Sequence, residues 1–287
     1  PLALPATPEE LREFLEVLVT SGRAPAGLAL YDRSASWMVE QWAVSDGRVL
    51  VEPDNGAHGA VIDGVRFATA EAIDALTWLQ RLADDGLVTW VGINESGIDD
   101  LLRLVDLSDR AAMTFHTSAS LGELTFLVYE AGLPDLGDAE LGVAPLPTPS
   151  GRPGTLVGGG ALWLLDGGDP ARLGAAASLA EHLLSPEVQA MFAAETGYVP
   201  ATASAAASEI TRRTWEQYPH FAVAYEQLVG LPASPVTAGM QIGPRVLVQR
   251  ELEQAVASIV VFGRDPAEAL AEAETSALEI IESYVAE

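Results

Sequence analysis

Lysine and cysteine are both missing from this chain, and their absence removes most covalent chemistry. A phosphate-cradling loop of the Gly-Lys-Ser/Thr kind cannot form without lysine, and neither can a Schiff base. Without cysteine there is no thiolate nucleophile, no disulfide framework and no cysteine metal site. No G-x-S-x-G elbow occurs, and no G-x-G-x-x-G follows a strand-like run. The histidines, His58, His116, His182 and His220, are scattered, with no pair at chelating spacing. Neither a metal nor a cofactor is expected. Paired carboxylates such as Asp84-Asp85 and Asp99-Asp100 read as solvated faces of an acidic chain. A hydrolase working with two carboxylates is the enzyme alternative that these residue types leave open.

What remains suits noncovalent binding. Ser118 and Ser120 lie where a strand-like run meets a helix start, a place where unpaired backbone N–H groups and the positive dipole end favour phosphate or hydroxyl oxygens. Plain capping by Ser120 explains the same residues equally well. Gly158-Gly159-Gly160 inside an apolar run permits close approach of a ligand to the backbone, or marks a bulge or tight packing. Trp37 and Trp42 offer faces for a sugar-like or cationic ligand, with burial in the core as the simpler reading.

These residues need elements to hold them. The 287 residues are 49% hydrophobic, enough for a sizeable core in one or two domains. The net charge of −26 repels nucleic acid and anionic lipid surfaces. No apolar stretch reaches membrane-spanning length, and no secretory leader opens the chain. The abrupt start at Pro1-Leu2-Ala3-Leu4-Pro5, almost inside a helix-start signal, leads to the expectation that something precedes it.

Thr7-Pro8-Glu9-Glu10 predicts a capped helix with Leu11, Phe14, Leu15 and Leu18 on one face. Short strands are expected over 26–31, 48–51 and 111–116. A helix from Thr69 to Gly86 and another over 96–104 fall among them. Ser120-Leu121-Gly122-Glu123 reads as a capping box opening a helix. Strands are predicted over 141–146 and 156–165, and helices over 170–184 and 186–195, with a mostly helical remainder. The Pro-rich run 145–149 is the candidate crossover between domains. Irregular mixing of strands and helices argues for an α/β chain of two lobes.

Several blocks, in order, resemble solute-binding protein family 1, in its glycerol-3-phosphate-type branch. They are Pro8-Glu9-Glu10-Leu11, Asp109-Arg110-Ala111-Ala112-Met113, Leu141-Gly142-Val143-Ala144-Pro145-Leu146-Pro147 and Val157-Gly158-Gly159-Gly160-Ala161-Leu162-Trp163. Leu183-Leu184-Ser185-Pro186-Glu187, Thr196-Gly197-Tyr198-Val199-Pro200 and the closing Phe262 to Leu270 continue the match. Asp109 stands where the family has glycine. The family's N-terminal stretch has no counterpart here.

The resemblance implies a type II periplasmic-binding-protein-like α/β fold, two lobes with a hinge, the N-terminal lobe incomplete in this chain. Residues 1–147 and 201–287 would form the C-terminal lobe and 148–200 a portion of the N-terminal lobe. It also implies a monomeric substrate-binding component of an ABC importer, extracytoplasmic and either periplasmic or lipid-anchored. Such a protein captures glycerol-3-phosphate or a glycerophosphodiester and delivers it to a permease, with a sugar or oligosaccharide as the alternative solute. The ligand residues carried over are Trp37, Ser118, Ser120, a backbone N–H of Gly159, the Tyr198 hydroxyl and an arginine. The family's arginine position falls, without gaps, on Gln249, so Arg250 is the first choice and Arg245 the second. Trp37, the glycine run and Tyr198 are expected to converge on one crevice.

Overall fold

The computed structural model describes residues 4–92, 99–105, 111–132 and 140–286. In chain order the elements are α1 (Pro8–Thr20), β1 (Ala26–Leu30), α2 (Asp32–Ser45), β2 (Val51–Glu52), β3 (Gly64–Val65), α3 (Ala70–Asp84), β4 (Val88–Trp90), α4 (Asp99–Val105) and β5 (Ala111–Thr114). Helices then dominate: α5 (Leu121–Tyr129), α6 (Pro170–Leu183), α7 (Pro186–Thr196), α8 (Ala203–Ala206), α9 (Glu209–Gln217), α10 (Val223–Val229), α11 (Pro235–Ala238), α12 (Arg245–Phe262) and α13 (Pro266–Ala286). Two compact units result. The first comprises Pro1–Phe115, Pro145–Val157 and Gly230–Glu287, and the second His116–Ala144 and Gly158–Val229. This division differs from the expected one, because 116–144 and 201–229 group with the 158–200 segment.

The first unit is built on a parallel sheet ordered β4-β1-β5, in which Leu28 pairs with Val88 on one side and Met113 on the other. All five β1 residues are buried, the pattern of a central parallel strand covered on both faces. Helix α1 begins as its sequence predicts. The Thr7 hydroxyl accepts from Glu10 N at 3.3 Å, and the Glu10 carboxylate accepts from Ala6 N at 2.8 Å. Its apolar stripe, Leu11, Leu15 and Leu18, is buried. A Cβ on Gly27 would lie 2.7 Å from Leu15 Cδ2, so glycine there lets the helix approach the strand. Helix α3 is capped by Thr69 and buries Leu76, Leu79 and Leu82. Helices α12 and α13 pack as a pair, with Leu252, Val256 and Ile259 against Leu270, Ala277 and Ile281 in the same core.

A loop that sequence reading passed over positions the start of α12. Asp54, Asn55, Gly56 and His58 all have positive φ, between 49° and 75°. Asn is among the few non-glycine residues that visit this region readily. The buried Asn55 side chain accepts from Leu50 N at 2.7 Å and Val51 N at 3.2 Å, and donates to the Pro235 carbonyl at 3.0 Å. Its own carbonyl accepts from Gln241 N at 2.7 Å. A Cβ on Gly56 would meet the Gln241 carbonyl at 2.8 Å. The loop therefore grips the segment leading into α12 from both its side chain and its backbone.

In the second unit, the N-terminus of α5 meets the C-terminus of α7 at backbone distance. A Cβ on Gly122 would fall 2.1 Å from the Glu195 carbonyl oxygen, and one on Gly197 2.3 Å from the Ser118 carbonyl oxygen. Gly197 also caps α7 in the left-handed conformation, φ 88°. Two expectations fail here. Neither 141–146 nor 156–165 forms a strand. Leu162, Trp163 and Leu165 are exposed, Trp163 at 85%, and no described strand pairs with the segment. A β-type sequence makes a strand only when a neighbouring strand completes its hydrogen bonds. The expected helix over 96–104 appears as α4, with 93–98 outside the described residues.

Replacing Asn55 with alanine is expected to destabilise the first unit by about 2–4 kcal/mol, because buried N–H groups lose their acceptor. Denaturant unfolding would measure it. Gly122→Ala is expected to cost about 1–3 kcal/mol or more by overpacking, read in the same experiment.

Candidate functional site

Helix α2 carries the candidate tryptophan, and it is buried on nearly every side, the pattern of a helix inside a core. Its hydroxyls are satisfied locally. Ser34 Oγ donates to the Tyr31 carbonyl at 3.0 Å, Ser36 Oγ to the Arg33 carbonyl at 3.0 Å and Ser45 Oγ to the Trp42 carbonyl at 2.8 Å. Trp42 belongs to the core, as the simpler reading had it. Its Nε1 donates to the Pro147 carbonyl at 2.8 Å and its ring lies 5.6 Å from that of Trp78. Trp37 is different: half-buried, with a buried Nε1 that has no hydrogen-bond partner.

One turn beyond Trp37 stands Glu40. It is 0% exposed, and neither carboxylate oxygen has a hydrogen-bond partner. Burial pushes its pKa up to about 7, the Arg245 guanidinium draws it down and Glu253 adds to the rise. Arg245 is the first residue of α12, which packs against α2, and its Nε is likewise buried without a partner. The two packed helices thus leave an indole N–H, a carboxyl and a guanidinium N–H unsatisfied, and the carboxyl and the guanidinium act on each other. The sequence signal was an acid three residues after Trp37, following a run, 34–39, of apolar and small hydroxyl residues.

Arg250 is exposed and acts electrostatically on Glu253, while Gln249 is half-buried. Glu253 is held by Arg33, whose Nε donates to its Oε1 at 3.3 Å, and burial raises its pKa. Of the two candidate arginines, Arg245 is the one beside unsatisfied polar groups.

The remaining candidates lie in the second unit. Ser120 does not cap α5 through its side chain, contrary to the capping-box expectation. Its Oγ instead shares a 2.9 Å hydrogen bond with His116 Nδ1, and Thr117 caps the short turn over Ser118–Ser120. Ser118 meets the Gly197 turn through its carbonyl, and Tyr198 is the residue that follows this glycine. The Tyr198 ring lies 5.1 Å from Phe192. Gly159 has φ 151°, a backbone conformation that L side chains rarely adopt, and the space around it is open, so tight packing does not explain it.

A cavity of about 460 Å³ opens in the second unit, lined among others by Tyr129, Glu140, Tyr218 and His220. The Tyr129 and Tyr218 rings stack at 6.0 Å, and Tyr129 Oη accepts from Leu141 N at 2.9 Å. Burial lowers the pKa of His220, whose Nε2 is 3.1 Å from Thr125 Oγ1. None of the expected site residues lines this cavity.

Glu40 links stability to pH. The unfolded chain loses this proton near pH 4.5 while the native state keeps it to about 7. The unfolded state then binds fewer protons, so stability falls as pH rises through this window, by roughly 3 kcal/mol for an ideally isolated group. Glu40→Gln is expected to remove that loss. Urea titrations of both proteins at pH 5 and 8 measure the difference between the two slopes.

The sequence pattern of bacterial extracellular solute-binding proteins matches residues 2–223. The sn-glycerol-3-phosphate-binding periplasmic protein UgpB of Escherichia coli O1:K1 is 26% identical over 261 residues, 87% of this chain and 55% of that protein. Its namesake from Yersinia pestis bv. Antiqua is 36% identical over 104 residues, 34% of this chain and 23% of that protein. The chain thus spans between about a quarter and about half of these relatives. UgpB from Mycobacterium tuberculosis in complex with glycerophosphocholine superposes with a TM-score of 0.70 at 18% identity, covering 99% of this chain and 66% of that one. The maltose/maltodextrin-binding domain MalE from Bdellovibrio bacteriovorus, bound to maltotriose, gives 0.70 at 18%, covering 98% and 67%. These likenesses show the type II periplasmic-binding-protein-like fold. The family and its structural neighbours are solute-binding proteins of transport rather than enzymes. By the match over most of its length, the chain belongs to the family of bacterial extracellular solute-binding proteins.

Proposed function

We propose that the chain is part of the substrate-binding component of an ABC importer. It captures glycerol-3-phosphate or a glycerophosphodiester outside the cytoplasmic membrane, acts as a monomer and delivers the solute to a permease. No catalytic step is involved. The observation that carries this reading is Arg245, half-buried, with an unpartnered Nε, at the start of the helix that packs against the one carrying Trp37, whose indole N–H is also unpartnered. A planar guanidinium with a free N–H suits an anionic phosphate oxygen, and local donors are what let so acidic a chain take an anion. Relatives named for sn-glycerol-3-phosphate binding support the solute class. Among the described residues no helix is long and apolar enough to cross a membrane.

The residues proposed to touch the solute are Trp37, Arg245 and Arg250 in the first unit, and Ser118, Ser120, Gly159 and Tyr198 in the second. The lobes expected at 1–147 with 201–287 and at 148–200 are retained only as a proposal for the whole protein. A neutral solute is the second reading. It is favoured by the maltotriose complex and by an Agrobacterium radiobacter solute-binding protein in complex with ribitol, which superpose as well as the glycerophosphocholine complex.

Thermal unfolding with a ligand panel separates the readings. A solute at a hundred times its dissociation constant stabilises by about 2.7 kcal/mol. Glycerol-3-phosphate and glycerophosphocholine are expected to raise Tm, and Arg245→Ala to abolish the rise. A shift with maltose or ribitol and none with the phosphates would transfer the assignment to the sugar and polyol class.

A further inference from the structure

We propose that Glu40 is a positioning residue for Arg245: neutral, it leaves the guanidinium to an anionic oxygen of the solute, and ionised, it holds that charge for itself. This role rests on the reading of Arg245 as the anion-binding residue. It starts from geometry within the first unit. Helices α2 and α12 pack together, and Glu40 from one and Arg245 from the other sit in each other's field, with no hydrogen bond formed by either Glu40 oxygen or by Arg245 Nε. A fully buried carboxyl without a partner strongly disfavours ionisation, so its charge state is set by whatever cation lies nearest.

The surrounding charges leave Arg245 as that cation. From α12, Glu253 also faces Glu40, but Glu253 is engaged by Arg33 of α2 and felt by Arg250 and Asp32. Helix α3 packs against α2 as well, and contributes none of the charges acting on Glu40. Burial pushes the Glu40 pKa up to about 7, so both forms are accessible near neutral pH. With Glu40 ionised, the pair with Arg245 is neutral and offers a solute anion little. With Glu40 protonated, a full positive charge remains. Binding of an anion to Arg245 must by reciprocity hold the proton on Glu40 more tightly, so capture takes up a proton.

The test is isothermal titration with glycerophosphocholine, whose phosphodiester does not itself titrate between pH 6 and 8. Affinity of the unaltered protein is expected to fall about tenfold across that range, with proton uptake read from buffers of different ionisation enthalpy. Glu40→Gln is expected to bind at both pH values as tightly as the unaltered protein does at pH 6, with no proton uptake. Glu40→Asp is expected to restore a pH slope. A slope that survives unchanged in Glu40→Gln, or no slope in the unaltered protein, overturns the role of Glu40 while leaving the anion site intact. Absence of phosphodiester binding, or binding indifferent to Arg245→Gln, overturns the reading of Arg245 and this role with it.

Discussion

Burial of helix α2 governs the first unit. A helix enclosed on nearly all sides must satisfy its polar groups internally or leave them orphaned, and α2 does both. Its serines turn back onto carbonyls of their own turn, and Trp42 reaches the Pro147 carbonyl. Glu40 and the indole N–H of Trp37 are left without partners. A protein that carries such groups in a core forgoes stability at that point.

The geometry that keeps this set together is assembled from distant parts of the chain. The sheet β4-β1-β5 supports α1 and the helices around it, while Asn55 fastens the approach to α12. Arg245 is therefore held at the first turn of a long helix whose entry is clamped and whose length is packed against α13. An arginine on a fixed helix start loses less conformational freedom on binding an anion than one on a loop. On the proposed reading, recognition of phosphate by so acidic a chain depends on local structure prevailing over the field of the whole molecule.

The second unit obeys another constraint. Its helices meet through glycines, Gly122 and Gly197, that allow backbone to approach backbone and bring the Ser118 turn against the residues before Tyr198. The glycine-rich run around Gly159 is open instead, with large apolar side chains such as Trp163 and Leu165 in solvent. Glycines in this unit serve two ends: close packing at the α5–α7 contact and backbone freedom in the exposed segment.

Local signals were legible in the sequence because they act over a few residues. Thr7 and Thr69 capped the helices they announced, Gly197 stopped α7, and the apolar run of β1 became the central strand. Residue types alone ruled out lysine and cysteine chemistry, and the ordered blocks pointed to the family. What depends on partners distant in the chain was not legible. The runs 141–146 and 156–165 look like strands, but a strand exists only with a neighbour to bond. Ser120 has the sequence of a cap, yet His116 takes its hydroxyl. Glu40 reads as one acid among many until α12 closes over it, removes water from both oxygens and places Arg245 nearby. Charge state and hydrogen-bond satisfaction are properties of surroundings, and those surroundings come from residues some two hundred positions away, which only the tertiary structure brings into contact.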